Sequence, residues 1–257
     1  MAKGFVLCFG LLVATVAVAS GGLVAPKRQI VGGFPINIAQ APYQISLRQD
    51  GHPMCGGSII SPNWIITAAH CVEDLTSDML SIRAGSTYKM SGGTIREVSR
   101  IVIHPDWNSD TNEADCALLE LEEPIELNDS TIMSISMPDQ DEEDPEEGSI
   151  AMVSGWGKTK NRSQSARFLR ATFLPIVDRS NCQLAYGRTH ISDRMLCAGF
   201  ITGGHDSCQG DSGGPLVVDD LLVGVVSFAA GCAEPGYPGV NVRVAAVRDW
   251  IQEVSNV

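Results

Sequence analysis

The chain has 257 residues, 44% of them hydrophobic, and a formal net charge of −12. A chain of this length holds either one domain of two similar halves or two domains, and its hydrophobic share is sufficient to fill their cores. Removal of residues 1–29 would leave 15 basic and 30 acidic residues, a net charge of −15. Nucleic acid is therefore excluded as a partner, because phosphate binding needs a basic surface.

The N-terminus predicts a secretory signal peptide over residues 1–19. An apolar run at residues 4–19 follows Lys3, and residues 17–19 are small, as a cleavage site requires. A membrane anchor is the alternative, but the run is shorter than the roughly 20 residues that a spanning helix needs. No later stretch is long and apolar enough to cross a bilayer. We therefore expect a secreted, extracellular protein without a membrane partner.

From residue 42 onward, short apolar runs alternate with turns. The runs are rich in Ile, Val and Thr and are bounded by Gly, Pro, Asn and Asp, which is typical of β-strands. Strands are predicted over residues 43–47, 57–61, 64–67, 79–84, 94–103, 117–121, 150–154, 168–174, 195–198, 215–218, 221–228 and 239–244. Such spacing predicts an all-β barrel or sandwich. A short helix is predicted over residues 178–184, and apolar residues at helical spacing over 244–254 predict a C-terminal α-helix.

Three separate motifs carry the residue types of nucleophilic catalysis. Ser212 lies among glycines at residues 210–215, and a serine hydroxyl needs a neighbouring base to become a nucleophile. His70 follows one apolar run, and Asp115 begins another. The order His, Asp, Ser is one of several in which the same catalytic geometry occurs on unrelated folds.

At these residues the chain resembles the trypsin-like serine proteases of the chymotrypsin fold. The resemblance rests on five motifs in the family's order and at about its spacing: residues 30–33 (Ile-Val-Gly-Gly), 68–71 (Ala-Ala-His-Cys), 115–119 (Asp-Cys-Ala-Leu-Leu), 155–157 (Gly-Trp-Gly) and 210–215 (Gly-Asp-Ser-Gly-Gly-Pro). It covers residues 30–257 and implies two six-stranded antiparallel β-barrels, over about 30–137 and 138–257. The active site would lie in the cleft between them.

The resemblance implies a role for each residue of the three motifs. Ser212 would be the nucleophile, His70 its general base, and Asp115 the residue that orients the imidazole. The backbone N–H groups of Gly210 and Ser212 would form the oxyanion hole. Because His70 must be neutral to accept a proton, activity is expected to fall as the pH drops through about 6–7.

The resemblance also assigns the primary specificity pocket. Asp206 would lie at its bottom and select Arg or Lys, because an apolar side chain would leave the carboxylate desolvated and unpaired. The family's trypsins have glycine where Ala229 stands and tryptophan where Phe228 stands, so the added methyl is expected to narrow the mouth without closing it. The walls would include Ser207, Ser227, Ala229 and Gly239.

Residues 20–29 resemble a short activation peptide. Cleavage before Ile30 would free an ammonium group that pairs with Asp211, and supplying a partner to a buried carboxylate can switch a loop between two arrangements. The residue before Ile30 is Gln29, where the family has Arg or Lys. We hypothesise that the activator cuts after Gln29 or that Gln29 is trimmed afterwards.

Of the eight cysteines, Cys8 lies in the leader and seven remain. Sequence alone allows many pairings of six. The resemblance implies the disulfides Cys55–Cys71, Cys182–Cys197 and Cys208–Cys232, which leaves Cys116 as a small buried side chain. No Cys-x-x-Cys or His-Glu-x-x-His motif supports zinc, and residues 84–93 lack the acids with which some family members bind calcium. We expect no metal and no cofactor.

The sequence also predicts an exposed acidic segment and two glycosylation sites. The acidic run at residues 139–147 predicts a solvated loop, with a steering patch for basic substrates or a cation site as the alternative. Asn128 and Asn161 begin N-glycosylation sequons.

The predicted function is that of a secreted serine endopeptidase, made as a zymogen, that cleaves protein or peptide substrates after Arg or Lys. The short leader and the lack of a further module favour a digestive role. Its other partners would be an activating protease and protein inhibitors, and the enzyme would be a monomer. Two alternatives stay open. One is a catalytically silent binding protein with the protease fold, and the other is a protease with chymotrypsin-like or elastase-like preference.

Overall fold

The structure is a computed structural model that describes residue 1 and residues 32–158, 167–187 and 190–257. The strands are β1 Phe34–Pro35, β2 Gln44–Gln49, β3 His52–Ser61, β4 Trp64–Thr67, β5 Leu80–Ala84, β6 Thr94–Ile103, β7 Ala117–Leu121, β8 Ile150–Gly155, β9 Arg170–Val177, β10 Met195–Ala198, β11 Pro215–Val218, β12 Leu221–Phe228 and β13 Gly239–Arg243. The α-helices are α1 Arg179–Tyr186 and α2 Arg248–Ser255, and single 3₁₀ turns occur at Ile38–Gln40, Ala69–Cys71, Ser77–Met79 and Val244–Ala246.

The first barrel closes in the order β2-β3-β4-β7-β6-β5, with every neighbouring pair antiparallel. Successive side chains of a strand point to opposite faces. Leu119 and Ile65 therefore pack inside this barrel, while their neighbours Leu118 and Ile66 pack in the cluster shared with the second half of the chain. The two faces of one pair of strands thus supply both the barrel core and the contact between the halves.

The second barrel closes in the order β9-β10-β13-β12-β11-β8, through pairing of β8 with β9. β1 joins the outer edge of β9 as a seventh strand, which the sequence did not predict because two residues are too few to establish an alternating pattern. The prediction of two six-stranded antiparallel barrels is confirmed, and the sandwich is excluded. The site residues predicted in the first half and in the second half consequently lie on different barrels.

The C-terminal helix is confirmed, although its first predicted turn is a 3₁₀ turn and α2 begins only at Arg248. Ile251 of α2 is fully buried in the shared cluster, which also holds Trp64 from the first barrel and Trp156 from the second. The chain end therefore helps to join the two barrels. Helix α1 begins one residue later than predicted, because Asp178 is its N-cap and accepts a hydrogen bond from the Ser180 N–H at 2.8 Å.

Three disulfides join the pairs that the resemblance implies: Cys55–Cys71, Cys182–Cys197 and Cys208–Cys232. The first joins β3 to the turn that carries His70, and the third joins the loop before Ser212 to the segment after β12. Cys116 is a free thiol, fully buried in the shared cluster, as expected of a small apolar side chain.

The acidic run at residues 139–147 is solvated but also attached to the second barrel. Asp144 forms ion pairs with Arg179, at 2.8 Å, and with Arg243. Asn181 donates a hydrogen bond to Glu147 at 2.9 Å. The sequence pattern predicted the exposure of this run. It could not predict the attachment, because its partners are distant in sequence.

Several predictions fall on residues outside the described ranges. They are the signal peptide, apart from residue 1, the activation peptide, Ile30 and the sequon at Asn161. Asn128 is described and is exposed. Among the helices of the described part of the chain, none is long and apolar enough to cross a membrane.

Candidate active site

The ends of two neighbouring strands bring His70 and Asp115 together. Thr67, the last residue of β4, is paired with Ala117, the first residue of β7. His70 lies three residues after the first of these, and Asp115 two residues before the second, so both emerge at the same edge of the barrel. The Asp115 carboxylate accepts hydrogen bonds from the backbone N–H of His70 at 2.9 Å and from its ring Nδ1 at 2.7 Å.

Asp115 is fully buried and has a third hydrogen-bond donor on the other barrel. The Ser227 hydroxyl donates to Asp115 Oδ2 at 2.5 Å. The sequence predicted Ser227 as a pocket wall and missed this contact, because no local pattern connects residues 112 positions apart. Three hydrogen bonds from donors on both barrels hold the carboxylate in one orientation.

The electrostatics of His70 favour its protonated form. Burial, the largest single influence, lowers the pKa of His70, but the hydrogen bond and the charge of Asp115, together with the charge of Glu73, outweigh it and raise the pKa above the ordinary value of 6.5. In the neutral ring, the contact with Asp115 leaves the proton on Nδ1 and makes Nε2 the acceptor. Because the His70 side chain is 31% exposed, Nε2 can reach a substrate.

Ser212 lies in a loop of the second barrel that contacts the first. Its carbonyl accepts a hydrogen bond from the Gly56 N–H of β3 at 2.8 Å. A Cβ on the next residue, Gly213, would lie 2.2 Å from Thr67 Oγ1, so only glycine permits this approach to the strand that precedes His70. Within the described ranges, Ser212 Oγ is not hydrogen-bonded to His70. Such bonds commonly tighten only when substrate binds.

The backbone of this loop leaves two N–H groups free. The N–H groups of Asp211, Gly213 and Gly214 donate to carbonyls of the protein. Those of Gly210 and Ser212 have no acceptor among the described residues, and Gly210 has a φ of +94° that favours glycine. Two donors without a described acceptor, next to the predicted nucleophile, are available to bind an oxyanion.

Asp211 lies beneath this loop and is fully buried. Its carboxylate accepts from the Gly157 N–H at 2.7 Å and from the Cys208 N–H at 3.0 Å. A Cβ at Gly155 would lie 2.1 Å from an oxygen of this carboxylate, and a Cβ at Gly157 would lie 2.3 Å from one. Both positions of the Gly-Trp-Gly motif must therefore be glycine to leave room for the Asp211 side chain. Burial raises the pKa of Asp211 to about 6, although the two N–H groups and the charge of Lys89 lower it.

A cavity of about 250 Å³ opens beside Ser212. Its lining includes Ser207, Ser227 and Ala229. Asp206, which is 2% exposed, lies against Gly239, where a Cβ would be 2.8 Å from its carboxylate. The carboxylate accepts a hydrogen bond from the Ala233 N–H at 3.1 Å.

No described Lys or Arg forms an ion pair with Asp206. Burial raises the pKa of Asp206 to about 6, against the opposing effect of the N–H groups of Ala233 and Ser207 and of the Ser207 hydroxyl. A buried carboxylate without a cation is poised to bind one. A larger cavity, of about 770 Å³ and lined by Tyr43, Phe173 and Asp220 among others, contains none of the predicted catalytic or specificity residues.

The side chains of Cys55, His70 and Cys71 cluster closely enough to suggest a metal site. The two sulfur atoms are bonded to each other, so neither is available as a thiolate ligand. This cluster therefore does not fit a metal ion.

A family model, Trypsin, matches residues 30–251. The chain belongs to the trypsin family of serine endopeptidases. Trypsin 5G1 of Aedes aegypti is 47% identical over 231 residues, which are 89% of this chain and 86% of that protein. The trypsin of Phaedon cochleariae is 40% identical over 235 residues, 90% of each chain. The vitellin-degrading protease of Bombyx mori is 38% identical over 254 residues, 98% of this chain and 95% of that protein.

Membership of the trypsin family agrees with the two barrels and with the positions of the motifs at residues 68–71, 115–119, 155–157 and 210–215, which meet where the barrels contact each other. As a member of this family, the protein is a hydrolase that acts on protein substrates. The family alone does not decide which side chain precedes the cleaved bond. That question depends on the cavity beside Ser212.

We expect Asp115→Asn to lower the pKa of His70, because the variant removes the negative charge that opposes the effect of burial. NMR titration of the His70 ring protons measures this value. Glu73→Gln is the matched control: its charge is the smallest influence on His70, so a smaller decrease is expected. An unchanged pKa in Asp115→Asn would show that the contact does not control His70.

Proposed function

We propose that this trypsin-family enzyme cleaves peptide bonds after Arg or Lys, with His70, Asp115 and Ser212 as its catalytic residues. The observation that carries the substrate preference is the buried Asp206 carboxylate, which lacks a cationic partner among the described residues. A substrate guanidinium or ammonium would supply that partner, whereas an apolar side chain would leave the carboxylate uncompensated.

The proposed mechanism has two half-reactions. Ser212 Oγ attacks the carbonyl carbon while His70 Nε2 takes the hydroxyl proton, and Asp115 stabilises the imidazolium. The free N–H groups of Gly210 and Ser212 bind the oxyanion. When the carbon–nitrogen bond breaks, His70 gives its proton to the leaving amine. Water then repeats the sequence on the acyl-enzyme, which releases the acid and restores Ser212.

A residue of the pocket wall, Ala229, is proposed to limit the width of the substrate side chain that can enter. Ala229 lines the cavity beside Ser212, at the position where the family's trypsins have glycine. Its methyl group takes up space in this wall that a glycine would leave open, whereas a Cβ at Gly239 would lie 2.8 Å from the Asp206 carboxylate, so that position needs glycine. We therefore propose that the pocket accepts the long, thin stems of Lys and Arg and disfavours wide aromatic side chains.

We further propose that the protein is secreted as a zymogen, with a signal peptide at residues 1–19, an activation peptide at 20–29 and the protease domain at 30–257. The support is the burial of Asp211, whose pKa is raised to about 6 in the uncleaved chain and which a new ammonium at Ile30 would stabilise. A digestive role, protein inhibitors and a monomeric state stay predictions. The similar proteins include two named trypsin and one named for vitellin degradation.

N-terminal sequencing of active enzyme from its native source is expected to give Ile-Val-Gly-Gly. Only that N-terminus carries the new ammonium on Ile30, the residue proposed to supply the partner of Asp211. Active material that begins at Gln29 would refute both proposed routes of processing, because the additional residue would displace the ammonium group.

The decisive experiment for the substrate preference uses protein processed to begin at Ile30. Peptide substrates that differ only in the residue before the cleaved bond, namely Arg, Lys, Phe or Ala, are compared by kcat/KM. We expect cleavage after Arg and Lys, and a decrease of roughly a million-fold in kcat for Ser212→Ala. The isosteric variant Asp206→Asn should reduce cleavage after Arg and Lys by roughly 100-fold or more, because the substrate cation loses its partner.

Each other outcome of this experiment has a distinct meaning. Cleavage only after Phe or Ala would retain the catalytic residues and refute the role of Asp206. No cleavage of any substrate would favour a catalytically silent binding protein. Equal activity of Ser212→Ala and the unaltered enzyme would refute the assignment of Ser212 as the nucleophile.

We expect kcat/KM to fall as the pH is lowered through the pKa of His70, because only the neutral imidazole accepts the Ser212 proton. Since the pKa of His70 is raised, half of the activity should be lost at a pH above 6.5. A profile of kcat/KM from pH 5 to pH 9 measures the midpoint. Activity that stays constant down to pH 5 would exclude His70 as the base.

A further inference from the structure

A single peptide group lies between Lys89 and Asp211. The Lys89 ammonium donates a hydrogen bond to the Trp156 carbonyl at 3.1 Å. The N–H of the same peptide group, on Gly157, donates to Asp211 Oδ1 at 2.7 Å. A cation at the carbonyl end of a peptide polarises its N–H and strengthens the bond that this N–H makes to an anion.

Lys89 lies between β5 and β6 of the first barrel, and its segment contacts the second half of the chain. The backbone N–H of Lys89 donates to the Arg167 carbonyl at 3.0 Å, and the neighbouring Tyr88 ring lies 5.2 Å from the ring of Phe168. The Thr87 carbonyl accepts the indole N–H of Trp156 at 3.1 Å. Three consecutive residues, Thr87, Tyr88 and Lys89, thus contact the second half of the chain, which limits the positions that the Lys89 ammonium can take.

The charges of Lys89 and Asp211 act on each other without direct contact. Burial lowers the pKa of Lys89, and the charge of Asp211 opposes this change. Conversely, the charge of Lys89 lowers the pKa of Asp211, while the charge of Asp206 raises it. No ion pair within 4 Å joins Lys89 to Asp211 among the described residues, so the Trp156–Gly157 peptide is the contact between them.

We propose that Lys89 is a positioning residue for the reaction, which holds the Trp156–Gly157 peptide against Asp211 and thereby keeps the free N–H groups of Gly210 and Ser212 aimed at the oxyanion. This inference rests on the proposed function, since it acts through the loop assigned there to the oxyanion hole. By this proposal, Lys89, which belongs to the first barrel, helps to order the loop of the second barrel that contains Gly210 and Ser212.

The proposed role does not depend on proteolysis. Before the cleavage that precedes Ile30, this residue is inside the chain and carries no ammonium. Lys89 is then the described cation whose charge lowers the pKa of Asp211. It supplies part of the positive charge for this buried carboxylate before the activation peptide is removed, and it continues to do so afterwards.

The test compares Lys89→Met with Lys89→Arg in enzyme processed to begin at Ile30. Methionine keeps the stem and removes the charge, so kcat should fall by roughly 3- to 10-fold with little change in KM. This is less than the roughly 100-fold or greater loss that follows removal of an oxyanion donor itself. A peptide aldehyde, which forms an oxyanion on the serine, should bind more weakly by a similar factor. Lys89→Arg keeps the charge and should restore most of both values.

Lys158→Met is the matched control. It removes the same side chain from the adjacent segment, where the Lys158 ammonium contacts the Gln209 side chain at 2.7 Å and not the Trp156 carbonyl. Its kcat should stay within about 2-fold of the unaltered enzyme. An equal loss in Lys158→Met and Lys89→Met would assign the effect to net charge and overturn the inference.

Two further outcomes are separable. Unchanged kcat and aldehyde binding in Lys89→Met would overturn the role of Lys89 while leaving the proposed function intact, whereas inactivity of the unaltered enzyme would refute the proposed function itself. Thermal unfolding of each variant measures stability. If Lys89→Met lowers stability but keeps kcat and aldehyde affinity, Lys89 is structural only, and the inference is refuted.

Discussion

A carboxylate that is buried in a protein needs hydrogen-bond donors or a cation to replace its contacts with water. Three carboxylates in the described part of this protein are buried: Asp115, Asp206 and Asp211. Asp115 meets this requirement with His70 and Ser227, one on each barrel, so its hydrogen bonds also join the two halves of the cleft. Asp211 meets it with two backbone N–H groups, which fixes the loop above it. Asp206 has N–H donors but no described cation, and the residue that follows it, Ser207, lines the cavity beside Ser212.

Catalysis in this fold depends on the contact between two barrels that are each closed. Each strand of a six-stranded barrel pairs with neighbours in its own barrel, so apolar side-chain packing and a few backbone hydrogen bonds, such as that from the Gly56 N–H to the Ser212 carbonyl, join the barrels. The apolar cluster around Trp64, Leu118 and Trp156 provides this contact. The proposed nucleophile and base lie on opposite sides of it. The positions of Gly56 and Gly213, where the two backbones meet, then determine how closely Ser212 approaches the turn that carries His70.

The Gly-Trp-Gly motif contributes backbone atoms more than side chains to the site. Its two glycines leave space for the Asp211 carboxylate, and its central peptide offers the N–H that Asp211 binds. The tryptophan ring is buried between the barrels, which holds this peptide in place from the other side. The Gly-Trp-Gly motif, which the sequence shows only as a family motif, therefore serves to accommodate and bind the carboxylate of Asp211.

The sequence was enough to predict the strand pattern, the barrel fold through the resemblance, and His70, Asp115, Ser212 and Asp206 as the candidate site residues. Local patterns carry this information, because apolar runs and glycine-rich turns are visible without knowledge of the fold. The packed structure was needed to show that Ser227 donates to Asp115, that the N–H groups of Gly210 and Ser212 have no acceptor among the described residues, and that Lys89 meets the Trp156–Gly157 peptide. These contacts join residues far apart in the chain, and their geometry arises only when the two barrels pack.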